Sequence, residues 1–154
     1  MKKTITLKLN GESRSLEVEP SDILLEVLRD KLGIKSPKIG CERGDCGVCT
    51  VLLDGKSVRS CLILAIEADG HEITTVEGLG KNGPTPVQKS FLKHNSFQCG
   101  FCAPGMVLAA TELLGKNPNP DEEEIKEAIA GNLCRCTGYE PIVKAIKAVA
   151  RRRS

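Results

Sequence analysis

Apolar and polar residues alternate at the start of the chain. Ile5, Leu7 and Leu9 are interleaved with Thr4, Thr6 and Lys8, and Leu16 and Val18 take up the same two-residue period after Asn10-Gly11. Two such runs around an Asn-Gly pair predict a β-hairpin. From Ser21, which reads as an N-cap, the period lengthens: Leu24, Val27, Leu28 and Leu32 recur at helical spacing, and Gly33 is a natural stop. Val48 to Leu53 and Lys56 to Val58 flank Asp54-Gly55 as a second hairpin, and Glu72 to Val76 reads as a further short strand. Beyond Pro86 the period is helical in four places. These are Val87 with Phe91; Met106, Ala110, Leu113 and Leu114; Ile125, Ala128 and Ile129; and Ile142, Ala145, Ile146 and Val149. Asp121 with Glu124 resembles a capping box, although Asn119 before Pro120 could also serve as the cap.

Hairpin, helix, hairpin and late strand make a β-grasp arrangement, and four short helices make a small bundle. Glu77 to Pro86 is rich in glycine and proline without an apolar period. The expected organisation is therefore an α+β protein: residues 1–77 a β-grasp domain, 78–86 a linker and 87–154 a helical bundle. With 154 residues for two domains, each core is thin and needs a staple.

Composition narrows the chemistry. A net charge of +2, mixed signs throughout, no tryptophan and few aromatic residues leave no basic stripe or stacking platform for nucleic acid. Arg151-Arg152-Arg153 is the one basic run and suits a helix C-terminus. No stretch approaches the ~20 apolar residues that a membrane span needs. The start of the chain lacks an apolar signal segment, so the expected location is cytoplasmic and a disulfide framework is not expected. His71 and His94 are isolated and are not singled out as a site.

The eight cysteines fall into two sets of four. Cys41, Cys46, Cys49 and Cys61 read C-x4-C-x2-C with a distant fourth, the plant-type [2Fe–2S] spacing. Three thiolates on one tight loop require sharp turns, and Gly40, Gly44 and Gly47 are expected to supply positive φ and bring the backbone close to the cluster. Glu42 and Asp45 are solvated acids whose charge makes reduction harder. The second set, Cys99, Cys102, Cys134 and Cys136, pairs C-x2-C with C-x-C. By spacing alone four such thiolates also suit a tetrahedral zinc. Each pair lies before a predicted helix, whose positive N-terminal end suits an anionic group.

The runs Gln98-Cys99-Gly100-Phe101-Cys102 and Gly131-Asn132-Leu133-Cys134-Arg135-Cys136-Thr137-Gly138-Tyr139, with the first set and its order, resemble the small iron–sulfur subunit of the molybdenum hydroxylases. That family contains xanthine dehydrogenase, aldehyde oxidoreductases and the molybdenum-type carbon monoxide dehydrogenase. The resemblance covers nearly the whole chain and implies an oxidoreductase electron-transfer subunit with two [2Fe–2S] clusters and no substrate-transforming site of its own. It implies a large molybdenum-pterin subunit and a medium FAD subunit as partners, in keeping with a chain that ends at Ser154. It further implies that Gln98 approaches the pterin, and that Cys136 lies at the cluster edge nearest to it. Electrons would then enter at the bundle and leave through the β-grasp cluster. A free-standing ferredoxin-like carrier is the alternative, and a single cluster would suffice for it.

Overall fold

The structure is a computed structural model, and it describes residues 1–152, with the side chain of Arg152 left out; Arg153, part of the basic run, lies outside the described residues. Strands β1 (Lys3–Leu9) and β2 (Glu12–Val18) form the first hairpin, in register from Lys3↔Val18 to Leu9↔Glu12. Its turn has positive φ at both Asn10 and Gly11, as the Asn-Gly pair requires. Strands β3 (Thr50–Leu53) and β4 (Lys56–Arg59) form the second hairpin around Asp54-Gly55, again with positive φ at both turn residues. Strand β5 (Glu72–Thr74) enters between the hairpins, parallel to β1 and antiparallel to β3, and the sheet order is β2-β1-β5-β3-β4. This is the expected β-grasp arrangement.

Helix α1 (Leu24–Glu26) covers one face of the sheet and widens into a π-helical turn over Val27–Lys31, where Leu32 N–H bonds back to Val27 O at 3.0 Å. Leu24, Val27 and Leu28 are buried against Ile5, Leu7, Val51 and Ile73. Gly33 ends the turn with φ +71°. The cap differs from the expected one. Ile23 occupies the N-cap without a side-chain bond, because its extended backbone bridges to Leu64, and this leaves Ser21 upstream.

Helices α3 (Pro86–Lys93), α4 (Ala103–Lys116), α5 (Glu122–Ile129) and α6 (Glu140–Arg152) form the bundle. Its core joins Val87, Phe91, Met106, Ile125, Ile142 and Ile146, among others. Thr85 and Gln88 close a capping box on α3, and Asp121 and Glu124 close one on α5, so Asp121 is the cap and not Asn119. Ser90 Oγ donates to Ala145 O at 2.7 Å and Ser96 Oγ to Pro141 O at 3.0 Å, tying α3 and the loop after it to α6.

The glycine-rich stretch between the two cores carries more structure than its composition suggests. A single turn, α2 (Val76–Leu79), sits at its start, and Val76 and Leu79 pack on the bundle core. Glu77 accepts from Ser36 N and Oγ at 2.9 and 2.6 Å and from Thr75 Oγ1 at 2.8 Å. Asn10 in turn exchanges bonds with Thr75, donating to its hydroxyl at 2.9 Å and accepting from its N–H at 2.8 Å.

Candidate metal centres

The loop from Gly40 to Cys49 leads directly into β3, so its exit is fixed by the sheet. Lys38 N–H donates to Val48 O at 2.9 Å and Thr50 N–H to Gly47 O at 3.1 Å, closing the loop at its base. Gly44 and Gly47 have φ of +87° and +77°, as expected of them. Gly40 does not; its requirement is space, since a Cβ there would stand 2.7 Å from Val48 Cγ2 and 2.9 Å from Cys46 Sγ. Glu42, a residue type with no preference for that region, supplies a further positive φ, of 55°. Within this loop the N–H groups turn inward onto sulfur. Cys41 Sγ accepts from Arg43, Asp45 and Cys46 N at 3.5, 3.3 and 3.4 Å, and Cys46 Sγ accepts from Cys41 N at 3.5 Å.

Those donors favour thiolate. The backbone N–H of Arg43, followed by that of Cys46, pulls the Cys41 thiol down to about 6. Cys61 arrives from the 3₁₀ turn Ser60–Leu62 after β4 and packs with Cys49 and Leu25 of α1, and burial pushes its thiol up to about 11. A buried thiol of this kind becomes a thiolate when a cation is bound beside it.

The second set is built from two loops of the bundle. Cys102 is the N-cap residue of α4, and burial pushes its thiol up to about 12. Cys99, one turn earlier, is held below its ordinary value by the N–H of Phe101 and then by Cys136, whose Sγ lies 3.6 Å from its own. At Cys134 burial acts upward, but the Thr137 hydroxyl, 3.1 Å from its Sγ, and the N–H groups of Cys136 and Thr137 outweigh it. Tyr139, at φ +70°, folds its ring back so that its hydroxyl accepts from Cys134 N at 3.0 Å. Gln98 Nε2 donates to Cys136 O at 3.1 Å, so this exposed amide braces the second loop from the first.

The sulfurs gather in pairs. Cys41 faces Cys46, Cys49 faces Cys61, Cys99 faces Cys136, and Cys102 faces Cys134. A [2Fe–2S] cluster takes two thiolates on each of two irons, whereas one tetrahedral zinc draws four donors to a single point at about 2.3 Å. The donor set, its pairing and the inward N–H groups fit two dinuclear clusters.

The two loops also touch each other. Leu133 N–H, beside Cys134, donates to Cys46 O at 2.9 Å. Around that bond the halves approach so closely that side chains are excluded: a Cβ on Gly47 would stand 2.3 Å from Gly131 O, and one on Gly105 2.5 Å from Gly47 O. Arg59 bridges the halves, donating to Thr50 Oγ1 at 2.8 Å and to Gly131 O at 2.7 Å, and buried Asn132 meets Thr50 Oγ1 at 3.2 Å. Arg59, Thr50, Asn132, Thr137 and Tyr139 were not among the sequence candidates for the site. Of these, Asn132, Thr137 and Tyr139 lie in the run that carried the resemblance, and the sequence held no comparable signal for Arg59 or Thr50.

Comparison with known proteins agrees with this geometry. Residues 7–76 match the 2Fe-2S iron-sulfur cluster binding domain and residues 75–147 the [2Fe-2S] binding domain. The small subunit of nicotine 6-hydroxylase from Paenarthrobacter nicotinovorans is 48% identical over 92% of this chain and 86% of its own. The nicotinate dehydrogenase small FeS subunit of Eubacterium barkeri is 49% identical over 97% of this chain and 96% of its own. Among solved structures, quinoline 2-oxidoreductase from Pseudomonas putida 86 superimposes with a TM-score of 0.94 at 47% identity, covering 99% of this chain and 98% of that one. These relatives are components of oxidoreductases, which favours a subunit over a free-standing carrier. The chain thus belongs to the small iron–sulfur subunits of the molybdenum hydroxylases, electron-transfer subunits with two [2Fe–2S] domains.

Proposed function

We propose that Cys41, Cys46, Cys49 and Cys61 hold one [2Fe–2S] cluster and that Cys99, Cys102, Cys134 and Cys136 hold the other. The observation that carries this assignment is the pairing of the eight sulfurs two by two, with backbone N–H groups aimed at Cys41, Cys46 and Cys99. Bound there, the clusters supply one-electron transfer. In this reading residues 1–77 and 87–154 are the two domains and 78–86 the linker; the matches at residues 7–76 and 75–147 support two domains, the second match taking in the linker residues.

The chain works between partner subunits: a large one holding a molybdenum-pterin centre and a medium one holding FAD. Gln98 and Cys136 mark the entry face. Gln98 braces the Cys136 loop and remains exposed beside it, so it is available to a pterin docking at that edge. The loop of Gly44 and Gly47 marks the exit face. This reading puts the assembly in the cytoplasm, where cysteines stay available as cluster ligands instead of pairing as disulfides. No helix among the described residues is long and apolar enough to cross a membrane.

Co-purification tests the reading. Tagged chain should bring down a molybdenum-containing chain with a flavin protein. A monomer that reduces unrelated acceptors and never associates with molybdenum would refute it.

A further inference from the structure

Lys38 belongs by sequence to the β-grasp half, three residues before the first cysteine, yet its side chain lies against the second set. Its Nζ donates to Phe101 O at 3.3 Å and stands 5.2 Å from the centre of the Phe101 ring. Phe101 is one of the two residues between Cys99 and Cys102, and its own N–H points at Cys99 Sγ. The ammonium is within electrostatic reach of the thiols of Cys102 and Cys99. The other charges that act on it are those of Arg29 and Glu77.

The position is built rather than incidental. Lys38 N–H is bonded to Val48 O at the base of the first cysteine loop. The segment leading to it is pinned from α1's π turn, where Arg29 Nη1 donates to Lys35 O at 2.9 Å and to Pro37 O at 2.8 Å. Pro37 is buried and Lys38 half-buried. Backbone from one half therefore holds a cation beside the other half's cysteines, where water screens it less than on an open surface.

A metal group held by four thiolates gains negative charge on reduction, so a fixed cation nearby favours the reduced form. The geometry points to Lys38 as a cross-domain positioning residue: the β-grasp half lends its charge to the bundle's cysteine site and raises that site's affinity for the incoming electron. This rests on the ligand assignment proposed above. It has a consequence for assembly, since electron uptake in the bundle is tuned correctly when the β-grasp half is docked on it.

The experiment is a potentiometric titration of the purified holo-complex followed by electron paramagnetic resonance, comparing the natural chain with Lys38→Gln and Lys38→Arg. The two signals are assigned beforehand through Cys41→Ser and Cys99→Ser. Lys38→Gln should lower the bundle signal's occupancy equilibrium roughly threefold, about 28 mV at 59 mV per tenfold for one electron. The β-grasp signal should move less, and Lys38→Arg should restore the natural value. Equal movement of both signals, no movement, or loss of the bundle signal in Lys38→Gln would overturn the inference. Failure to find two [2Fe–2S] signals in the natural complex would instead overturn the assignment on which it rests.

Discussion

Two glycines with the same φ allow the contact between the halves to be weighed. Gly47 and Gly70 both have φ of +77°. A Cβ on Gly70 meets nothing within 4 Å, whereas one on Gly47 would stand 2.3 Å from Gly131 O, 2.6 Å from Asn132 Oδ1 and 2.9 Å from Asn132 Cα. Gly70→Ala should therefore cost the left-handed penalty alone, about 1–2 kcal/mol. Gly47→Ala carries the same penalty plus the overpacking of backbone on backbone, about 1–3 kcal/mol more. For a chain of this size the extra term corresponds to a midpoint about 2–12 °C below that of Gly70→Ala. The assay is loss of visible cluster absorbance on heating the holoprotein, at one scan rate because bleaching is irreversible. Equal midpoints for the two variants would refute the docking of the Gly47 loop on Gly131 and Asn132.

Other perturbations probe the same account at separate points. Arg59→Met removes the bond to Gly131 O that bridges the halves and the bond to Thr50 Oγ1 within the β-grasp half, and should cost about 2–3 kcal/mol in the same heating assay, while Arg59→Lys recovers part of that loss. At Glu77, burial acts upward, but hydrogen bonds from Ser36 and Thr75 outweigh it and hold the carboxyl below its ordinary value of 4.5. Its stabilising contribution is thus fully present at neutral pH and is lost as pH falls below 4.5 and through the folded value. Glu77→Gln should lower the midpoint at pH 7 and flatten its decline on acidification, and an unchanged profile would count against the Ser36–Glu77–Thr75 arrangement. Cys136→Ala should remove about half of the iron and stop substrate-driven reduction of the remaining cluster while leaving substrate binding on the partner intact; undiminished reduction would refute entry at the bundle.

Much of the fold was legible because its signals are local. Asn10-Gly11 and Asp54-Gly55 specify their turns through backbone conformation, and Asp121 with Glu124 caps α5 through bonds spanning three residues. Ser21 misled because a distant partner decides the start of α1: the bridge from Ile23 to Leu64 extends the chain just before Leu24. Glu77 to Pro86 read as a bare linker because Leu79 alone shows no period, yet Leu79 finds a place on the bundle core, as does Val76, which the pattern puts at the end of the last strand. The cysteines announced themselves by spacing, and Gly44 and Gly47 by their place between them. Arg59 and Lys38 did not, because each acts across the junction of the halves, where partners 72 and 63 residues away in sequence come together. Gly105 shows the same limit: within α4 it reads as a weak helix residue, and its cause is the carbonyl of Gly47 on the other half.

The central claim, that the two cysteine sets each hold a [2Fe–2S] cluster, is tested most directly by spin quantitation of the fully reduced holoprotein. Two distinct signals of equal intensity are predicted, one for each matched domain, with Cys41→Ser removing one and Cys99→Ser the other. A single signal together with zinc retained by Cys99, Cys102, Cys134 and Cys136 would contradict the account.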